Sequence, residues 1–209
     1  MLQTKAVSRT TMGLLKRLNA LEALQDFGLV GGTNLALRYG HRISVDLDFF
    51  TSKEFYPENL VSVIERNFRH IELLFQRNQT IIFDIEGVRV DFVQYPFKWL
   101  YDFEVLDGIR FAHVEDIIPM KIQGLENRKS KKDFWDIACL LQKFSIKELF
   151  GIVHKKFPFI DIGHLVHSFT YFEEANLQPD PIVLNEWTWD EVKNVVSSSA
   201  IQYTKEFLS

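Results

Sequence analysis

Two aspartates one residue apart, Asp46 and Asp48, follow a Gly31-Gly32-Thr33 sequence. Carboxylates held this close repel each other unless a cation neutralises them, and a site of oxygen ligands alone suits Mg²⁺ or Mn²⁺ better than zinc. The backbone amides of the glycines, placed at a helix start, would bind an anion, and phosphate commonly accompanies Mg²⁺. The pattern therefore indicates a site for a nucleoside triphosphate.

A strand, a short helix and a second strand would position these residues. Residues 27–30 form a short apolar run, Thr33 is a good helix N-cap, and Gly40 can end the helix. Residues 43–50 alternate as a strand does. A helix of this length rises about 12 Å, and about six strand residues return that far. The aspartates would thus lie beside the first turn of the helix.

Side chains two apart on a strand share a face, so Ser44, Asp46 and Asp48 are expected to point the same way. Ser44 thereby joins the candidate nucleotide-binding residues. Two interpretations stay open for Arg42, at the start of this strand: it forms a structural salt bridge, or it contacts an acceptor substrate. The opposite face would turn three apolar side chains into the core: Val45, Leu47 and Phe49.

A two-metal site needs a third carboxylate. Residues 88–93 alternate as a strand and place Asp91 among apolar residues that face the core. Asp84 is the rival, but it lies next to the Glu86-Gly87 sequence, which predicts a tight hairpin. Asp91 is therefore the preferred third ligand.

Hydrophobic spacing predicts the other elements. Before residue 113 it predicts helices at 10–26 and 57–68 and strands at 71–75 and 80–85, with a weaker hairpin pair at 103–106 and 109–112. After residue 113 it predicts helices alone: 114–127, 131–143, 145–156, 161–175 and 188–207. The chain is expected to be α/β, with a small mixed sheet of about five strands and flanking helices in residues 1–113, followed by a helical region in residues 114–209.

The composition excludes several classes of protein. The chain has 209 residues and a net charge of −4, so polyanion binding would need a local basic patch, and no apolar run is long enough to span a membrane. The single cysteine, Cys139, is expected to be buried rather than paired. Without a recognisable signal peptide, a cytoplasmic location is expected.

The Gly-Gly-Thr sequence at a helix start and the Asp-x-Asp on the next strand resemble the signature of polymerase-beta-like nucleotidyltransferases. More narrowly, the Arg42-x-Ser44-x-Asp46-x-Asp48 pattern resembles the AbiEii/AbiGii toxin family of nucleotidyltransferases. A second block is also similar to that family: it runs from Asp116 through Lys121 to Arg128, and a Lys-Asp-x-x-Asp element follows at 132–136. The resemblance covers roughly residues 25–142 and implies the nucleotidyltransferase fold.

The resemblance implies metal ligation by Asp46 and Asp48, a third catalytic carboxylate at Asp91, and triphosphate contacts from Gly32, Thr33 and Lys121. Lys121 and Arg128 are two helical turns apart, so both could point at the phosphates. Asp133 and Asp136 more simply make a surface ion-pair face with Lys132. A weak role in positioning Lys121 or Arg128 is left open for Asp133.

The implied reaction is transfer of a nucleoside monophosphate from an NTP to a hydroxyl or phosphate acceptor, with Mg²⁺ or Mn²⁺ as the cofactor. The resemblance further implies a toxin of a toxin-antitoxin or phage-defence pair, with an antitoxin partner and tRNA or another RNA as acceptor. Two alternatives stay open: modification of an aminoglycoside-like small molecule, and nucleotide binding without catalysis in a partner-docking module. The basic residues at 128–132 lean towards RNA, although a solvated loop explains them more simply.

Overall fold

A mixed sheet occupies the first half of the sequence in a computed structural model of the chain, which describes residues 1–207. Residues 208–209, the end of the predicted helical region, lie outside the described residues. Contacts divide the chain into two units. The mixed unit comprises Met1–Arg38 and Ser44–His113, and the helical unit comprises Tyr39–Ile43 and the chain from Val114 onward.

The mixed unit contains α1 (Arg9–Asn19), β1 (Gly28–Val30), α2 (Gly31–Tyr39), β2 (Leu47–Thr51), α3 (Pro57–Asn67), β3 (Ile71–Arg77), β4 (Thr80–Ile85), β5 (Val88–Gln94), β6 (Glu104–Leu106) and β7 (Ile109–Phe111). Within residues 1–207, seven strands form one sheet in the order β3-β4-β5-β2-β1-β7-β6. The pairs β2·β5 and β1·β7 are parallel and the others are antiparallel. The predicted α/β class is confirmed. The sheet exceeds the expected five strands because both arms of the weak hairpin join its edge.

Apolar side chains on one face of this sheet explain why the helices cover it. Phe49 of β2 and Phe92 of β5 are fully buried, and their rings stack with centroids 5.7 Å apart. Leu18 of α1 and Ile64 of α3 belong to the same core cluster. Burial of this face by the helices is the main stabilising contribution to the unit. The polar residues that alternate with Phe49 and Phe92 are therefore on the opposite face.

The helical unit contains α4 (Val114–Arg128), α5 (Lys131–Leu141), α6 (Ile146–Lys156), α7 (Ile162–Ser168), α8 (Glu173–Asn176) and α9 (Trp189–Phe207). The predicted helix at 161–175 is interrupted, because α7 ends at Ser168 and a turn precedes α8. The segment 39–43 also belongs to this unit. Its backbone pairs with residues 182–184 through an Arg42–Val183 bridge and a hydrogen bond from the Ile43 amide to the Ile182 carbonyl.

The first predicted helix, at residues 10–26, is too long. Helix α1 ends at Asn19, and a short 3₁₀ turn at Glu22–Leu24 follows. The Asn19 side chain donates to the Gly108 carbonyl and accepts from the Arg110 amide, so it is committed to the β6–β7 hairpin. The leucine spacing continued past the helix end because Leu24 is buried in the turn.

The predicted strand at residues 43–50 is also wrong at its start, since β2 begins at Leu47. The preceding backbone is bonded elsewhere: the Ile43 amide donates to Ile182, and the Ser44 amide donates to Ala6 at 2.8 Å. Val45, which was expected in the core, is 64% exposed. Strand alternation therefore does not extend to Val45 or Ser44.

Two expectations drawn from composition concern membrane-spanning segments and the single cysteine. None of the helices within residues 1–207 has both the length and the apolar character that a membrane crossing needs. Cys139 on α5 is buried as predicted, and burial raises the pKa of its thiol to about 12. A thiol in that environment stays protonated at neutral pH and is a poor nucleophile.

Candidate active site

Strands β2 and β5 bring two of the predicted acids together. The strands are parallel, and Asp48 lies directly opposite Asp91 in their register. Paired residues of neighbouring strands project from the same face, so both carboxylates leave the sheet on the face opposite the buried Phe49 and Phe92. Asp46 comes immediately before β2 and, like the other two, is partly exposed. The mixed unit thus carries three acids on two adjacent chain segments.

Gly31 forms the contact between Asp48 and the start of α2. Val30 lies opposite Asp48 in the β1·β2 register, and the helix begins at the next residue. Gly31 has a φ of +70°, and a Cβ at this position would overlap the Asp48 carboxylate. The amides of the first turn and the helix dipole favour a negative charge here. The close approach therefore requires glycine at position 31.

We predict that Gly31→Ala lowers both stability and activity, whereas Gly87→Ala lowers stability by its backbone strain alone. Both glycines have positive φ, and alanine there costs about 1–2 kcal/mol. Among the described residues no heavy atom lies within 4 Å of a Cβ at Gly87, so that variant carries the backbone strain alone. Displacement of Asp48 in Gly31→Ala should reduce the nucleotide transfer expected from the sequence about a hundredfold. Melting temperatures and transfer rates would check this, and equal effects of the two variants would contradict it.

Thr33 and Ser44 support the site from inside the protein. Thr33 lies within the first turn of α2 rather than at its N-cap, because the helix begins at Gly31. Its hydroxyl is 2.8 Å from the Ser44 hydroxyl and donates to the carbonyl oxygen of Asp46. Both side chains are buried, at 1% and 7% exposure. The predicted common strand face for Ser44 and the aspartates is wrong, and these hydroxyls hold the chain that leads into Asp46.

Arg89 was missed in the sequence analysis. Its guanidinium binds Asp91 in a two-pronged ion pair, with Nε 2.9 Å from Oδ1 and Nη2 3.1 Å from Oδ2. The hydrogen bonds to Asp91 raise the pKa of Arg89 despite partial desolvation, and the charges of Asp91, Asp46 and Asp48 raise it further. The Arg89-x-Asp91 spacing on an alternating strand was the signal that could have revealed this contact.

The donor atoms of the three aspartates fit a hard divalent cation, since all are carboxylate oxygens. Within residues 1–207, however, no three His, Cys, Asp or Glu side chains are gathered closely enough to hold a metal ion as they stand. Arg89 engages both oxygens of Asp91 in its ion pair. The rival acid, Asp84, has a different role, since its Oδ1 accepts from the Gly87 amide at 2.8 Å in the β4–β5 hairpin.

Lys121 and Arg128, the predicted triphosphate ligands, both contact Asp133 within the helical unit. Lys121 Nζ lies 3.0 Å from Asp133 Oδ1, and Arg128 Nη2 lies 3.3 Å from Oδ2. Lys121 is 5% exposed, whereas the Arg128 side chain is largely open to solvent. Burial would lower the pKa of Lys121, but the charges of Asp136 and Asp133 raise it above its ordinary value, so this amine is charged at neutral pH.

Asp136 does not lie on a surface ion-pair face, and that prediction is wrong for both aspartates of α5. Asp136 is fully buried and accepts from His41 Nε2 at 2.7 Å, from Arg42 Nε at 2.7 Å and from Arg42 Nη2 at 2.9 Å. Lys121 Nζ lies 2.7 Å from its second oxygen. Of the two interpretations of Arg42, the structure shows the salt bridge, with Asp136 as the partner.

The basic stretch after α4 is largely neutralised by acids of its own unit. Lys129 Nζ lies 3.0 Å from Glu174, and Lys131 Nζ lies 2.8 Å from Asp180. Arg128 contacts Asp133, as described above. These pairs favour a structural explanation of the stretch over a ready-made surface for phosphates.

The fold of the chain is that of a nucleotidyltransferase. The model of the family described as "Nucleotidyl transferase AbiEii toxin, Type IV TA system" matches residues 13–188, which is most of the chain. The chain therefore belongs to the AbiEii nucleotidyltransferase toxin family, and it is a nucleotidyltransferase enzyme. The family resemblance found in the sequence is confirmed.

The chain is also similar to proteins from three organisms, and the two solved structures among them share its fold. An uncharacterized protein of Aquifex aeolicus (strain VF5) is 35% identical over 195 residues, covering 90% of this chain and 93% of that protein. MenT4, a nucleotidyltransferase toxin from Mycobacterium tuberculosis, shares the fold with a TM-score of 0.63 at 14% identity, covering 91% of this chain and 81% of MenT4. JHP933 from Helicobacter pylori shares it with a TM-score of 0.59 at 17% identity, over 97% and 95% of the two chains.

Proposed function

We propose that this nucleotidyltransferase moves a nucleoside monophosphate from an NTP to an RNA hydroxyl, with Mg²⁺ or Mn²⁺ held by Asp46, Asp48 and Asp91. One observation carries the proposal: Asp48 lies opposite Asp91 in register while its carboxylate touches the glycine that begins α2. The acids proposed to bind metal and the amides proposed to bind phosphate are adjacent within one unit. The family supplies the reaction class, and this geometry supports the proposed site.

In the proposed reaction, the acceptor oxygen bonds to the α-phosphorus, the bond from that phosphorus to the β-phosphate bridging oxygen breaks, and pyrophosphate leaves. The amides of Gly31 and Gly32 bind phosphate oxygens at the positive end of α2. Asp46 and Asp48 would hold the divalent cation, which when bound would lower the charge on the reacting phosphate. Asp91 accepts the proton of the attacking hydroxyl. Thr33 and Ser44 keep the chain before β2 in place.

The toxin family implies that an antitoxin neutralises this enzyme, and we propose such a partner encoded nearby, together with a cytoplasmic site of action. A role in phage defence is part of the same proposal. A tRNA end is the acceptor that the family resemblance favours. The triphosphate roles of Lys121 and Arg128 stay predictions, because both side chains contact Asp133 in the structure.

The test is to incubate the protein with each labelled NTP, Mg²⁺ or Mn²⁺, and either total RNA or an aminoglycoside. Label is expected in RNA, released pyrophosphate should match it in amount, and a chelator should abolish both. Label in the aminoglycoside alone would overturn the RNA acceptor, and transfer that survives chelation would overturn metal dependence. Nucleotide binding without transfer to any acceptor would instead identify a binding module.

A further inference from the structure

Arg89 lies two residues before Asp91 on β5. No other arginine or lysine of the mixed unit is closer in sequence to one of the three proposed metal ligands. Because β5 alternates, both side chains project from the polar face of the sheet. Their ion pair is two-pronged, and the Arg89 side chain is 50% exposed while that of Asp91 is 19% exposed. Both oxygens of a proposed metal ligand are thus occupied by a cation that belongs to the protein.

The Arg17–Glu86 ion pair of the same unit can be compared with the Arg89–Asp91 pair. Arg17 and Glu86 also form a two-pronged pair, with side-chain exposures of 49% and 24%. The carboxylate that acts on Arg17 is that of Glu86. Arg89, by contrast, experiences the charges of Asp46 and Asp48 in addition to Asp91. Both pairs are two-pronged and similarly exposed, but they differ in the number of acids around the guanidinium.

We propose that Arg89 is a built-in counter-cation that competes with the divalent ion for Asp91 and so sets the metal affinity of the site. This inference rests on the proposed function. Without a metal, the guanidinium offsets the repulsion among three neighbouring acids. When a divalent ion arrives, Arg89 must release Asp91 before both of its oxygens can face the ion. Because the Arg89 side chain is half exposed, water can replace the hydrogen bonds of its guanidinium and the release is inexpensive.

The competition has a consequence that can be measured without catalysis. Removing a positive charge from beside a site for a doubly charged ion strengthens binding of that ion, by about tenfold at ordinary ionic strength. Arg89→Gln removes the charge and keeps most of the side-chain length. Arg89→Lys keeps the charge but cannot form the planar two-pronged pair. Arg17→Gln removes an equivalent ion pair away from the three acids and is the matched control.

The experiment is a titration of the full chain with Mn²⁺, without nucleotide, followed by electron paramagnetic resonance of the unbound ion. Arg89→Gln is expected to bind Mn²⁺ about tenfold more tightly than the wild type, Arg89→Lys to lie in between, and Arg17→Gln to match the wild type. As a second readout, Arg89→Gln should melt at a lower temperature than the wild type without metal and gain more from added Mn²⁺.

The Asp48→Asn variant distinguishes failure of the inference about Arg89 from failure of the proposed metal site. If Mn²⁺ binds to the wild type and is lost in Asp48→Asn, but Arg89→Gln binds equally or more weakly than the wild type, the inference about Arg89 is overturned and the proposed metal site stands. If the wild type and Arg89→Gln both fail to bind Mn²⁺, the metal site and the inference fall together. If Arg89→Gln does not fold, Arg89→Lys decides, because unchanged affinity there would also contradict competition by the ion pair.

Discussion

Asp48→Asn is expected to reduce the rate of nucleotide transfer about a thousandfold or more while the protein stays folded. Asparagine keeps the size of the side chain but removes the charge that would hold the cation, and metal stabilisation of a phosphoryl transition state contributes several kcal/mol. The loss of one of three neighbouring negative charges does not weaken the fold by repulsion. The measurement is the initial rate with labelled NTP and RNA, with the melting temperature recorded for the same preparation.

Asp84→Asn is the matched control for the third carboxylate. Asp84 and Asp91 lie on adjacent strands, but Asp84 accepts a hydrogen bond from Gly87 in the hairpin, whereas Asp91 is opposite Asp48. Asp91→Asn is therefore expected to lose transfer nearly as fully as Asp48→Asn, and Asp84→Asn to keep most of it. Substantial activity in Asp48→Asn, or the reverse order for Asp84 and Asp91, would refute the proposed set of ligands.

The sheet around the acids could be predicted because its signals are local. In β5, Val88, Val90 and Phe92 are buried and alternate with Arg89 and Asp91, as the sequence pattern indicated. The preceding turn has positive φ at Glu86 and Gly87, as a tight two-residue hairpin turn requires, and glycine favours this conformation. Alternation and turn chemistry act over a few residues, so a single segment carries enough information.

The course of residues 39–43 could not be predicted in this way. Local spacing suggested the start of a strand, but the backbone of this segment pairs with residues 182–184, and its Arg42 side chain binds Asp136. These partners are distant in sequence, and a single sequence carries no signal for which acid a given arginine will meet. For the same reason the sequence predicted an exposed ion pair between Asp136 and Lys132, because spacing on one helix reveals only neighbours on that helix.

Asp136→Asn is expected to destabilise the protein by about 3–5 kcal/mol, because it leaves buried positive charges without a negative partner. Asp136 is fully buried and receives hydrogen bonds from His41 and Arg42, with Lys121 at 2.7 Å. In a chain of this size the melting temperature should fall by about 10 °C. Asp190→Asn is the control, since Asp190 also pairs with a lysine of the helical unit but its side chain is 89% exposed. That change should cost less than about 1 kcal/mol.

The pH dependence of stability gives an independent check on Asp136. Burial would raise the pKa of its carboxyl, but the charges of Arg42 and Lys121 and the hydrogen bonds from His41 and Arg42 hold that pKa well below its ordinary value. A carboxyl whose pKa is lower in the folded protein adds stability that is complete at neutral pH, above an unfolded value of about 3.9, and that is lost as the pH falls through the folded value. Below about pH 4 the wild type should therefore lose stability more steeply than Asp136→Asn.

A double variant distinguishes lost pairing from a general packing defect. Arg42→Gln removes one of the cations that Asp136→Asn leaves buried, so the two changes together should destabilise by less than the sum of the single effects. A coupling of about 1–3 kcal/mol in a double-mutant cycle of urea unfolding is expected. Strictly additive losses, or a neutral Asp136→Asn, would mean that Arg42 and Asp136 do not stabilise each other, and the helical unit would then owe its stability to its apolar core alone.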